Sequence, residues 1–169
     1  MNDAEFLQLI RDNKGILFKI SNSYCRNRDD REDLVQEIIY QLWKSAGGFD
    51  INRKFSTWMY RIALNVAISF YRQQRRSGLR ISFGGDLHLM ELADSPADPD
   101  TEEKINLLQQ YINEQNELDK ALMILYLEER PYRDIAEILG ITETNVATKL
   151  SRIKGRLKQQ LVTLNKTFL

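Results

Sequence analysis

The stretch PYRDIAEILGITETNVATKLSRIKGRLK, residues 131–158, decides the fold. Because Pro131 disfavours helical backbone at the residue before it, the preceding helix is expected to end near Glu129 and a short one to follow. Gly140 suits the left-handed residue that ends this short helix, and Thr142 can cap the next helix through its hydroxyl. Two helices joined by a turn of about three residues form a helix-turn-helix.

The second helix of this motif has one apolar face and one basic, polar face. Val146, Leu150 and Ile153 recur at helical spacing and are expected to point inward. In a helix-turn-helix the second helix enters the DNA major groove, so the opposite face would reach bases and phosphates. The candidate DNA contacts on that face are Thr144, Asn145, Thr148, Lys149, Arg152 and Arg156. From these residues alone, the alternative is a two-helix corner with a solvated polar face.

The formal net charge of zero hides a segregation of charge along the 169 residues. Between residues 51 and 85 every charged residue is basic, and between 86 and 103 every one is acidic. A second stretch without acids runs from residue 146 to the end. Two basic surfaces that flank an acidic spacer favour nucleic-acid binding, even though the net charge is zero. Judged by charge alone, however, solvated helix faces are the simpler explanation of both surfaces.

Apolar residues recur at helical spacing on both sides of a segment rich in Gly, Pro and acids. The sequence therefore predicts an all-α protein with two small domains, residues 1–77 and 102–169, joined by a flexible acidic linker over 78–101. The first domain should hold three or four helices. Its last helix is expected to turn Trp58, Ile62, Val66 and Phe70 inward and to expose Tyr60, Arg61 and Asn65.

The segment 49–76 also interleaves aromatic and basic residues. Phe49, Phe55, Trp58 and Tyr60 alternate with arginines and a lysine, which is what single-stranded nucleic acid requires of a stacking surface. Core packing is the competing use of these aromatics.

Several classes of protein are excluded or disfavoured. One cysteine and one histidine can form neither an internal disulfide nor a structural zinc site. The longest apolar run, residues 121–127, is far shorter than the roughly 20 residues that span a bilayer, and Asp3 and Glu5 do not fit a signal peptide, so we expect a cytoplasmic protein. No phosphate-binding loop or catalytic arrangement is recognisable, which argues against an enzyme, and no cofactor is expected.

Three blocks in this order resemble the extracytoplasmic-function (ECF) sigma factors, the minimal two-domain branch of the bacterial primary sigma family. The blocks are EDLVQE at 32–37 with Trp43, the segment from Phe55 to the arginine tail with YRIA at 60–63, and YRDIAEILGI at 132–141 with KLSR at 149–152. The resemblance covers nearly the whole chain.

The resemblance implies a protein that binds core RNA polymerase and promoter DNA and catalyses nothing itself. It implies that Asp33, Gln36, Glu37 and Tyr40 dock on the clamp helices of the largest polymerase subunit. It also implies that the promoter minus-ten element is melted and held, with one base flipped into a pocket, while the helix-turn-helix reads the minus-thirty-five element. The minus-ten contacts would be Arg53, Lys54, Tyr60, Arg61, Asn65, Arg72, Arg75 and Arg76. Many such factors are held inactive by an anti-sigma partner, which we expect here too.

The main alternative is an autonomous helix-turn-helix regulator, which would bind a symmetric duplex tightly without polymerase. Zero net charge favours the sigma factor, because a neutral chain lacks the field for strong DNA binding by itself.

Overall fold

The computed structural model describes residues 1–77 and 98–167, and the regular elements within these residues are helices. By its internal contacts the chain divides into two compact units, Met1–Glu114 and Gln115–Leu169. Most of the predicted linker, with Arg80 of the basic stretch and His88, lies outside the described residues. None of the helices in the described ranges is long and apolar enough to cross a membrane.

The first unit begins with four helices: α1 (Asp3–Asp12), α2 (Lys14–Tyr24), α3 (Arg28–Ser45) and α4 (Phe55–Arg76). A capping box starts α1, where Asn2 and Glu5 bond each other's backbone N–H groups at 2.8 Å. Asn27 caps α3 by accepting from the N–H of Asp30. The Arg31 guanidinium donates to the carbonyls of Cys25 and Arg26, which fixes the short turn between α2 and α3.

Helices α2, α3 and α4 pack against one another, and α1 packs on α2. Leu34, Ile38 and Leu42 of α3 are fully buried, as are Ile20 of α2 and Met59 of α4. Burying a side chain of this size contributes about 1.5 to 3 kcal/mol. The apolar period along α3 thus fixes which of its faces turns inward.

The predicted inward face of α4 is only partly right. Trp58, Ile62, Val66 and Phe70 are half-buried, and the fully enclosed face is the neighbouring one, with Met59, Tyr60, Ala63, Leu64, Ala67 and Ile68. The expectation that Tyr60 is exposed is wrong, since only 2% of it is accessible. Small Ala63 and Ala67 let α4 approach α2 and α3 closely, and close packing favours this face over the bulkier one.

A short 3₁₀ helix, Ala46–Gly48, ends α3, and an irregular segment then leads to α4. Around it, Phe6, Trp43, Phe49, Phe55 and Trp58 form a cluster with ring centroids 5.1 to 6.1 Å apart. Most of these rings meet edge to face, the arrangement that favours aromatic packing. The aromatics of segment 49–60 therefore serve the fold in this structure, as the core-packing alternative predicted.

Helix α5 (Pro99–Glu114) begins inside the stretch predicted as linker. Asp98 starts it by accepting a 2.7 Å hydrogen bond from the backbone N–H of Thr101. This hydrogen bond lowers the pKa of the Asp98 carboxyl. The sequence did not predict this cap because Asp98 lies among other acidic residues and prolines, which indicate a loop.

The second unit contains α6 (Glu117–Leu127), α7 (Tyr132–Leu139) and α8 (Glu143–Thr167). Gly140 adopts the left-handed conformation, with φ of 68° and ψ of 33°, and ends α7. The Thr142 hydroxyl accepts from the N–H of Asn145 at 3.1 Å and caps α8. The predicted helix-turn-helix is confirmed, with Val146 and Ile153 buried beneath it.

Candidate nucleic-acid and polymerase interfaces

The four α3 residues implied to dock on polymerase share one exposed face. Asp33, Gln36, Glu37 and Tyr40 all line a groove of about 880 Å³ between α3 and α4, the α3–α4 groove. Its α4 wall contains the half-buried stripe from Ile62 to Phe70 that sequence reasoning assigned to the core. The groove is therefore polar along α3 and partly apolar along α4, a combination suited to a partner helix with one apolar face.

Asn65 joins this groove to a second surface on α4. At about 100° per residue, Arg61, Asn65, Arg72, Arg75 and Arg76 fall within about 100° of the helix circumference. We call these five residues the α4 stripe. All are exposed, and α4 contains no acidic residue to neutralise them.

The other predicted minus-ten residues lie apart from this stripe. Arg53 and Lys54 are exposed on the segment before α4, and the Arg53 Nε atom lies 3.9 Å from the Asp50 carboxylate. Tyr60 points into the core and cannot stack on a base in this conformation. The structure thus brings five of the eight predicted minus-ten residues together in the α4 stripe.

The six residues predicted to contact the minus-thirty-five element share one face of α8. Thr144, Asn145 and Thr148 are exposed in its first two turns, where a recognition helix meets base edges. Lys149, Arg152 and Arg156 continue the same face at helical spacing. Glu143 lies in the first turn of α8, where the negative charge of a carboxylate interacts favourably with the positive end of the helix dipole.

Sequence reasoning missed one residue at this face, Asp119 of α6. Its carboxylate lies 3.7 Å from Lys149 Nζ and 3.5 Å from Arg156 Nη2. Asp119 is thirty residues from Lys149 in the sequence, so only the packing of α6 against α8 reveals the contact. Within the described residues, no group of three His, Cys, Asp or Glu side chains could hold a metal ion.

Both parts of the chain match models of known protein families. The family model of sigma-70 region 2 matches residues 9–77, and that of sigma-70 region 4 matches residues 105–157. The ECF RNA polymerase sigma factor SigW of Bacillus subtilis is 28% identical over 165 residues, which cover 92% of this chain and 88% of SigW. The chain is an ECF sigma factor of the sigma-70 family.

Other relatives of this ECF sigma factor agree. The RNA polymerase sigma factor SigV of Bacillus subtilis is 28% identical over 94% of this chain and 92% of its own length. The solved structure of CnrH in complex with the cytosolic domain of CnrY has a TM-score of 0.66 at 19% identity, with 96% of this chain and 90% of CnrH covered. The ECF sigma factor directs promoter recognition by RNA polymerase and is not an enzyme.

Proposed function

We propose that the ECF sigma factor divides promoter recognition among three surfaces. The α3 side of the α3–α4 groove docks on core polymerase, the α4 stripe binds the melted minus-ten element, and the exposed face of α8 reads the minus-thirty-five duplex. The observation that carries this division is that each basic face is exposed on a helix whose apolar residues are buried within its own unit, α4 in one unit and α8 in the other. Run-off transcription tests it: new transcripts should appear only when core polymerase and this chain are both present.

The rival role as an autonomous regulator predicts a different result from the same samples. Tight binding of a symmetric duplex by the chain alone, with no new transcripts in the presence of core polymerase, would favour the rival. We expect weak duplex binding by the free chain because its net charge is zero.

Docking on polymerase is supported by the exposure of the α3 face. Tyr40 is 56% accessible and lines the α3–α4 groove, so its ring is available to a partner. Exposed aromatics at the centre of an interface often contribute 2 kcal/mol or more to binding, roughly a 30-fold change in affinity. Tyr40→Ala should weaken binding to core polymerase to about that extent. Phe18→Ala is the matched control, since Phe18 of α2 is 59% accessible and lies outside the groove.

Holding of the melted minus-ten strand is supported by the α4 stripe. A row of guanidinium groups without neighbouring acids on the same helix can track a phosphate backbone. Arg61→Gln should therefore reduce transcription from a fully duplex promoter. The same variant should recover much of its activity on a template whose minus-ten region is already unpaired, because the protein then does not have to melt that region. Arg11→Gln, which removes an exposed arginine from α1, should have no effect on either template.

Reading of the minus-thirty-five duplex is supported by the first turns of α8. Asn145→Ala removes an amide that can bond a base edge, and a lost bidentate contact costs about 1 to 3 kcal/mol. The holoenzyme with this variant should therefore discriminate less between the native minus-thirty-five sequence and altered ones. Lys158→Gln, farther along α8, should lower the affinity for both sequences equally, as a lost phosphate contact does.

We also propose that α5 belongs functionally with the helix-turn-helix, because the region 4 match begins at residue 105. The domain limits at residues 77 and 102 are consistent with this match. By analogy with CnrH, which was solved with the cytosolic domain of CnrY, we propose that a partner protein holds this sigma factor inactive in the cytoplasm. Such a partner should compete with core polymerase for the chain, and Tyr40→Ala should show whether the two share the α3–α4 groove.

A further inference from the structure

A notch on the second unit combines three cations with one carboxylate. Asp119, Lys149, Arg152 and Arg156 line it, together with Gly155 and Gln159, and we call it the α8 notch. The three cations all belong to α8, whereas Asp119 is contributed by α6. We propose that Asp119 is an internal competitor of DNA phosphate, which holds Lys149 and Arg156 in the free protein and must give them up when α8 binds duplex. This inference rests on the proposed role of α8.

The carboxylate is fixed in place. Asp119 is the third residue of α6 and its side chain is only 10% accessible. Asn116 Nδ2 donates to Asp119 Oδ2 at 3.0 Å, and Asn116 Oδ1 accepts from the backbone N–H of Asp119 at 2.9 Å. The positive N-terminal end of the α6 dipole also stabilises the negative charge of Asp119 at this position. Asp119 therefore cannot swing away from α8 without disrupting the start of α6.

The two cations, by contrast, can change partner. The side chains of Lys149 and Arg156 are 35% and 56% accessible, and both have long, rotatable stems. Their distances to Asp119, 3.7 and 3.5 Å, are long for charge-assisted contacts, although Arg156 Nη2 still donates a hydrogen bond to Asp119 Oδ2. A phosphate oxygen that approaches α8 can compete for either cation.

This arrangement has a measurable consequence for DNA binding. A cation that must leave a carboxylate gains less from a phosphate than a cation that leaves water. Arg152 lines the same notch, but the ion pairs of Asp119 are with Lys149 and Arg156. Arg152 should thus contribute more to duplex affinity than Arg156 does, although both are arginines on one face of one helix.

The test uses the full chain and a fluorescein-labelled duplex that carries the minus-thirty-five element, with binding followed by anisotropy from about 50 mM to about 200 mM salt. Asp119→Asn keeps an oxygen that can accept from Asn116 and removes the charge. We expect about 3- to 10-fold tighter binding, as the loss of two partly exposed ion pairs predicts. Because Lys149 and Arg156 contact phosphate in both proteins, the slope of log affinity against log salt, which counts the DNA counterions released, should stay about the same. Asp134→Asn is the matched control, because it removes one carboxylate from α7 of the same unit without touching either ion pair.

A second comparison begins in the unchanged chain, where its result does not depend on how well Asp119→Asn folds. In the otherwise unchanged chain, Arg152→Gln should weaken duplex binding more than Arg156→Gln. In the Asp119→Asn background, the two losses should become equal within about two-fold. Equal losses in the unchanged chain, or an Asp119→Asn variant that binds no more tightly than Asp134→Asn, would overturn the inference. The proposed function fails separately, if the unchanged chain yields no promoter-specific transcript with core polymerase.

Discussion

Two glycines of the helix-turn-helix should respond in opposite ways to the same substitution. A Cβ atom added at Gly140 or at Gly155 meets no atom within 4 Å, so steric crowding distinguishes neither site. Gly140 has φ of 68°, where a side chain costs about 1 to 2 kcal/mol. Alanine also lowers the conformational entropy of the unfolded chain, which stabilises the folded state by about 0.4 to 1 kcal/mol and offsets part of this cost. Gly140→Ala should therefore destabilise the second unit by about 1 kcal/mol.

Gly155 lies inside α8, where alanine is favoured over glycine by about 0.5 to 1 kcal/mol. Gly155→Ala should stabilise the second unit by that amount, and the two variants should differ by about 2 kcal/mol. The assay is urea unfolding followed by two signals. Both tryptophans, Trp43 and Trp58, lie in the first unit, so tryptophan fluorescence reports that unit alone, while circular dichroism reports all helices.

The expected result is a shift of the circular dichroism transition in opposite directions for the two variants, with an unchanged tryptophan transition. If Gly140→Ala proves neutral or stabilising, the left-handed backbone at residue 140 is not what requires glycine there. A matching shift of the tryptophan signal would show instead that the two units unfold together.

Three further changes test single features of the two units. Glu129 has φ of 57° just after α6, so Glu129→Gly should stabilise the second unit by about 0.5 to 1 kcal/mol in the same circular dichroism assay, and destabilisation would contradict the strain argument. Thr57 Oγ1 is buried in α4 without a hydrogen-bond partner, so Thr57→Val should be neutral or stabilise the first unit by up to about 1 kcal/mol, measured by tryptophan fluorescence. The Thr101 N–H lowers the pKa of Asp98 below its ordinary value of 3.8, so the cap of α5 should be intact above that pH and lost as pH falls through the lowered pKa. The Thr101 amide shift should follow this titration by NMR, and Asp98→Asn, which keeps an acceptor oxygen, should abolish it.

The helix-turn-helix was predictable because its determinants are local. Gly140 and Thr142 specify a chain reversal through backbone conformation and a side-chain cap, and both act within a few residues. Val146 and Ile153 then determine which face of α8 is buried. The outward face follows without further information, so all six candidate DNA contacts on α8 could be named from the sequence.

The orientation of α4 was not predictable to the same degree, because that helix has two apolar faces. One has large residues such as Trp58 and Phe70, and the other combines Ala63 and Ala67 with Met59 and Leu64. Periodicity gives both faces equal weight, and the choice depends on how closely α2 and α3 can approach. For this reason Tyr60 was placed among the DNA contacts, although it is buried.

The sequence also predicted weak DNA binding by the free chain from its net charge, but net charge does not say where the opposing charge acts. Carboxylates lie beside cations of both candidate DNA surfaces: Asp50 lies 3.9 Å from Arg53, and Asp119 lies 3.5 Å from Arg156. Asp50 is also held in place, since its Oδ1 atom accepts from the Asn52 backbone N–H at 2.9 Å and from Asn52 Nδ2 at 3.0 Å, but its side chain is 52% accessible. Asp119 is buried and bonded to Asn116, so it stays beside α8 whatever binds there. Because water and salt screen the exposed Asp50–Arg53 pair more than the pairs of Asp119, Asp119 is expected to reduce duplex affinity more than Asp50 does.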